Sequence, residues 1–132
     1  MEASSLNQNI QIVLPAGLFQ LTIPRSPNDN PASGDFNITG SMQIIGAGVG
    51  QTVITGSTDR VMDIGNGALF SIQGVTIQYG STPLGPMESG YEPGGGIRIS
   101  NTTAVTIDSC AILNNQGGAG GGVYNRPLAK VS

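Results

Sequence analysis

Two carboxylates, Asp35 and Asp63, with Arg98 and Tyr124, are the strongest candidates in this sequence for catalysis or ligand binding. A glycoside hydrolase needs two carboxylates roughly 5–10 Å apart across the scissile bond. Adjacent β-strands lie about 4.8 Å apart, so Asp35 and Asp63 would just meet that need if they faced outward on neighbouring strands. Arg98 falls next in the same row, and Tyr124 after it, where a cation–π contact is available. The plainer reading is an outward Asp–Asp–Arg ladder in which Arg98 offsets like-charge repulsion, a minor surface interaction. No third acid, histidine or aromatic sugar platform joins the group, and the ladder is the favoured expectation.

Other chemical candidates are weaker. Cys110 has no His or Lys near it in sequence to activate a thiolate and reads as a small core residue. It is the single cysteine, which excludes an internal disulfide. The glycine runs Gly94–Gly96 and Gly117–Gly122 lack the Lys-Ser/Thr and the helix of a phosphate cradle, so they read as tight corners. Asn37-Ile-Thr39 and Asn101-Thr-Thr103 match the glycosylation sequon, a common chance match in a Thr-rich chain. The loop Gly80–Pro93 carries Leu84, Met87, Glu88, Tyr91 and Glu92, a candidate partner loop on a rigid scaffold; a mere insertion is the equal alternative. No cofactor and no metal site is expected.

Composition and internal repeats indicate the scaffold that carries these residues. At 132 residues the chain suits one domain, 1–132, with 10 % charged residues and 21 glycines. Its apolar residues are mostly Ile, Val, Leu and Phe in short alternating runs, which is strand chemistry. The net charge of −3 with five scattered cations gives no basic face for nucleic acid. No segment approaches the ~20 apolar residues of a membrane span. The start, Met1-Glu-Ala-Ser-Ser, lacks the regions of a signal peptide.

Four stretches overlay on one another. Met62–Ile77 fits Ile97–Ile112 at an offset of 35, Asp35–Gly46 fits Asp63–Gly74 at 28, and Val13–Leu21 fits Phe36–Ile44 at 23. Gly94–Ile97 recurs as Gly120–Val123 at 26. Such self-similarity marks a stacked-repeat architecture. The overlays predict three apolar columns: Val13, Phe36, Ile64, Ile99; Phe19, Met42, Phe70, Val105; and Leu21, Ile44, Ile72, Ile107. Val75 should match Cys110, and Ile77 should match Ile112. The residues between are mostly polar, so the first set faces in and the second out. This is a parallel β-solenoid. Gly17, Gly40, Gly46, Gly74, Asn66, Asn101 and Asn114-Asn115 are expected at turns, with Asn66 over Asn101 as a candidate amide ladder. The proline-bearing segments 24–34 and 80–93 read as protruding loops, 1–9 as an N-terminal arm and 126–132 as a tail.

Leu14-Pro-Ala-Gly17, Phe19-Gln-Leu-Thr22, Ile38–Gly48, Ser71–Ile77 and the two Gly-Gly-Gly-Ile/Val runs resemble bacterial right-handed parallel β-helix proteins, of the polymorphic-outer-membrane-protein type of surface repeat. The resemblance spans about Ile10 to Asn125. It implies an all-β, right-handed parallel β-helix of about five rungs on an extracellular or cell-surface protein. Such helices also host polysaccharide lyases, which cluster acidic calcium ligands beside a basic residue, so a lyase or hydrolase stands as a minor alternative. Family members carry a capping segment and further repeats; here neither end shows a capping helix. Open solenoid edges template association. Ile10, Ile12 and Leu14 at one end, with Val123 and Tyr124 at the other, are therefore expected to be stacking ends. The expected function is a non-catalytic structural subunit whose partner is itself, head to tail, in a fibre. The alternative is an adhesin or glycan-binding module that uses the face of Asp35, Asp63, Arg98 and Tyr124 and the 80–93 loop.

Overall fold

The computed structural model describes residues 9–22, 35–56, 59–65, 67–82, 94–100, 104–118 and 120–125. Among them are twelve strands and no helix. In chain order these are β1 (Asn9–Val13), β2 (Gly17–Gln20), β3 (Phe36–Ile38), β4 (Ser41–Ile45), β5 (Thr52–Thr55) and β6 (Met62–Ile64). Then come β7 (Leu69–Gln73), β8 (Thr76–Gln78), β9 (Ile97–Ile99), β10 (Ala104–Asp108), β11 (Ala111–Leu113) and β12 (Val123–Asn125). Alternation sets each face. In Leu69-Phe-Ser-Ile-Gln73, Phe70 and Ile72 are buried while Leu69 and Gln73 are exposed.

The strands form three parallel four-stranded sheets: β1-β4-β7-β10, β2-β5-β8-β11 and β3-β6-β9-β12. The chain visits the first, second and third sheet in turn and then repeats, so each visit to a sheet adds a strand beside the previous one. This order is consistent with a β-solenoid. The described residues make four such passes, or coils, against the expectation of about five.

Register separates the sound overlays from the misleading ones. The offset of 35 holds in all three sheets: Met62 pairs with Ile97, Leu69 with Ala104, and Thr76 with Ala111. The offset of 26 holds too, with Ile97 beside Val123. The offset of 28 holds between β4 and β7 but not between β3 and β6, where Phe36 pairs with Met62 and Asn37 with Asp63. The cause is linker length. Residues 39–40 join β3 to β4, whereas the longer 65–68 joins β6 to β7. An ungapped overlay pushes that difference into the strand and sets Asp35 over Asp63. The offset of 23 fails outright: Ile10 pairs with Met42, Ile12 with Ile44, and Phe19 with Ile54. It had laid the end of β1 and β2 over β3 and β4, one strand out of phase. All three sheets share the same alternation, so that shift preserves the apolar pattern.

The inward columns are therefore Ile10–Met42–Phe70–Val105, Ile12–Ile44–Ile72–Ile107, Phe19–Ile54–Ile77–Ile112 and Phe36–Met62–Ile97–Val123. Val13 is in no inward column; it points out and is 67 % exposed. A fifth column, Ile38–Ile64–Ile99, ends on Asn125. Inward side chains of the middle coils are buried, whereas Ile10, Ile12, Phe19, Ile107 and Ile112 are half-buried.

Corners stack as tightly as strands. Gly74 takes φ +68°, and a Cβ there would lie 2.9 Å from the Gly46 carbonyl oxygen of the preceding coil. A side chain at that corner is both strained and crowded. Asn114 also adopts a left-handed conformation, at φ +56°. Asn66, Asn101 and the loop 24–34 lie outside the described residues. Of the loop expected over 80–93, residues 80–82 belong to the frame, since Ser81 N–H donates to the Asp59 carbonyl at 3.0 Å and Thr82 N–H to that of Gln116 at 2.9 Å; residues 83–93 lie outside the described residues.

Candidate functional site

The third sheet turns one column outward: Asn37 on β3, Asp63 on β6, Arg98 on β9 and Tyr124 on β12. Asp63, Arg98 and Tyr124 were expected there; Asn37 takes the place expected of Asp35. Asp63 and Arg98, side by side on paired strands, form a two-pronged ion pair. Arg98 Nε donates to Asp63 Oδ1 at 3.0 Å, and Nη2 contacts Oδ2. Asn37, Thr39, Asp63, Gly65, Arg98 and Ser100 line a shallow polar depression of about 170 Å³ on this face.

Asp35 lies beneath the surface, 2 % exposed, just before β3. Its Oδ1 accepts a hydrogen bond from Asn37 Nδ2 at 3.1 Å, and its Oδ2 is 4.0 Å from Arg60 Nε. Arg60 is fully buried, with Nη1 3.6 Å from Asp63 Oδ2. Asp59, also buried, accepts the Arg60 backbone N–H at 2.8 Å. The two carboxylates of the expected surface pair are thus joined from inside by a guanidinium. A buried charge demands such partners, because desolvation is costly. The consequence is chemical: Asp35 and Asp63 do not face a common bond from the outside, and the outward Asp–Asp–Arg ladder is replaced by Asn37–Asp63–Arg98.

Sequence reasoning missed Asp59 and Arg60. Neither was singled out among the residues able to do chemistry. The usable signal was the offset of 26, which the glycine runs already displayed. Applied to β3 and β6, it brings Asp35 beside Val61, next to Arg60.

Cys110 follows Val75 in its corner, as expected, and packs against the core half-buried. Its thiol donates to the Asp108 carbonyl at 3.2 Å and the Ile72 carbonyl at 3.6 Å. Burial pushes the thiol above its ordinary pKa, and the Asp108 carboxylate adds to the rise against backbone hydrogen bonds that oppose it.

At the first coil, Ile12, Leu14, Phe19, Phe36, Ile38, Met42, Ile44 and Ile54 surround an apolar cavity of about 270 Å³. Two of the expected stacking residues, Ile12 and Leu14, line it; Val123 and Tyr124, at the other end, are half-buried. Leu84, Met87, Glu88, Tyr91 and Glu92 lie outside the described residues. Among the described residues no three His, Cys, Asp or Glu side chains are grouped to hold a metal ion, and no helix is long and apolar enough to cross a membrane. No known family model, curated protein or solved structure matches the chain.

Proposed function

We propose that the chain is a right-handed parallel β-helix whose function is structural: a subunit that stacks head to tail into a fibre or surface appendage. The observation that carries this reading is the gradient of burial along the coils. Inward apolar side chains are enclosed in the middle coils, whereas most of those in the first and last described coils are half-open, Ile38 and Val105 excepted, and an apolar cavity lies at the first coil. β1, β2 and β3 form one edge of the three sheets and β10, β11 and β12 the other. A parallel edge offers its backbone groups to any further strand of matching register. Action outside the cell or on its surface is part of the proposal and comes from the likeness to surface repeats.

Light scattering and negative-stain electron microscopy of the purified chain test this directly. Stacking predicts uniform fibres with a subunit rise of about 19 Å, four strand spacings of ~4.8 Å. A monodisperse monomer at high concentration, or fibres whose rise leaves the terminal strands apart, would refute it.

A second reading, a glycan-binding surface module, is favoured by the polar depression beside Asp63 and Arg98. It predicts saccharide binding that Arg98→Ala abolishes while the fold is kept. Binding that survives this substitution removes the depression from consideration.

A further inference from the structure

We infer that the joint between copies has a single register, with β10 of one copy pairing with β1 of the next and β11 with β2, so that the first two sheets run through the junction unbroken. This rests on the stacking reading above and names its partner surfaces: the first coil of one copy and the last coil of another.

The columns supply the argument. Each inward position of β1 and β2 shares its column with one on β10 or β11: Ile10 with Val105, Ile12 with Ile107, Phe19 with Ile112. Placing the last coil beside the first continues three apolar columns in the order the interior already uses. Outward positions fit as well. Gln11 donates from Nε2 to Gln43 Oε1 at 2.9 Å, in the column that continues through Ser71 to Thr106. Thr106 would then meet Gln11 across the joint, side-chain hydroxyl to amide. On the two pairs of facing strands the one charged side chain is Asp108, opposite Val13, so no like charges meet.

The third sheet fits the contact only in part: its column from Phe36 to Val123 is apolar and half-buried at both ends, but the one beside it is not apolar throughout. Its fifth column ends on Asn125, and Ile38 at the opposite end is already buried at 1 % exposure. Covering Asn125 with Ile38 would place a polar side chain against an apolar one.

Magnitudes explain why the register must be unique. Fully burying a Val, Leu, Ile or Phe side chain contributes roughly 1.5–3 kcal/mol. Ile10, Ile12, Phe19, Ile107 and Ile112 have already realised part of it. What remains is on the order of 5 kcal/mol, at the low end of the ~4–15 kcal/mol that association costs. Apolar contact alone is too weak, so the backbone ladder must form along with it. A slip of one residue would also turn every inward side chain outward.

Paired cysteines on outward positions test the register, in a Cys110→Ser background that leaves only the new thiols. In the inferred joint, Gln11→Cys and Thr106→Cys of adjacent copies have Cα atoms about 4.8 Å apart, within the disulfide range of about 4.4–6.8 Å. Inside one copy they are three strand spacings apart, about 14 Å, so any bond between them is intermolecular. Mild oxidation of the double variant should give a ladder of covalent multimers that reductant collapses to monomer. A mixture of the two single variants should stop at dimers. The pair Val13→Cys and Thr106→Cys, displaced by two residues to about 8 Å, should give no ladder. If fibres form but the displaced pair bridges, or neither pair does, the register is overturned while stacking stands. If neither the parent chain nor the variants assemble, both fall.

Discussion

Ile12, Ile44, Ile72 and Ile107 occupy one column, one per coil, and differ in nothing but their place along the stack. Ile44 and Ile72 are 5 % and 1 % exposed, while Ile12 and Ile107 are half-buried. Residue type, sheet and facing are the same in all four. A coil on each side encloses the inner pair, whereas the outer pair has a neighbour on one side. In this column burial therefore follows the neighbouring coil, although Val105 on β10 and Ile38 on β3 are buried in the end coils as well. The outer coils should be held more weakly than the inner ones for the same sequence pattern.

Charges repeat the contrast and give the largest expected effect. Arg60 is enclosed between Asp35 and Asp63, whereas Arg98 reaches the same Asp63 from the surface with 26 % of its side chain exposed. Removing one partner of a buried ion pair strands the others, at a cost of about 3–5 kcal/mol. Arg60→Ala should therefore lower the urea midpoint severely, and Arg98→Ala should cost no more than about 1 kcal/mol. Equal losses would mean that Arg60 is not part of the frame.

Next comes the isoleucine column itself. Ile72→Ala should cost about 2–5 kcal/mol by chemical denaturation, and Ile107→Ala clearly less, because its site is already half open. The comparison sharpens under conditions of assembly. If copies stack, Ile107→Ala should impair fibre formation out of proportion to its effect on the monomer.

A smaller effect is expected at the glycine corner. Gly74→Ala places a Cβ at φ +68° and against the Gly46 carbonyl, for a loss of about 1–2 kcal/mol. In the last coil the corresponding corner already carries Ser109, at φ +50°. Ser109→Gly should leave the thermal midpoint near that of the parent. A larger shift there would show that the outer corner is as constrained as the inner one.

The smallest effect is a pH dependence at Cys110. Its folded pKa is raised, so the fold favours the neutral thiol. As pH climbs past the ordinary thiol range, near 8.5, the unfolded chain ionises first and stability falls. The parent should lose thermal stability between about pH 8 and 10 more steeply than Cys110→Ser. Identical slopes would remove the thiol as the cause.

Much of the frame was legible because the middle of the chain repeats without a gap: the offset of 35 gave the pairing of β6 to β8 with β9 to β11 correctly. Errors arose where linkers differ in length. The two extra residues between β6 and β7 displaced Asp35, and the shared alternation of all sheets hid the wrong phase of the 23-residue overlay. The charged cluster was less legible still. Arg60 sits in no repeating position, and its burial depends on carboxylates from two coils, which no local pattern records. Asn37 was visible as a residue and invisible as a member of the column, for the same reason that Asp35 was misplaced.

Because Met62 pairs with Ile97 in the same column that Phe36 opens, residues 62–96 amount to one removable unit. Excising them would bring β9 beside β3, β10 beside β4 and β11 beside β5 with every inward residue still above an inward residue. Duplicating them would add a coil by the same rule. The molecule thus works as a ruler marked in steps of one strand spacing, about 4.8 Å, whose length an in-frame duplication or deletion resets with the apolar columns intact, although the deletion also removes Asp63 and sets Arg98 in its place near the buried Arg60.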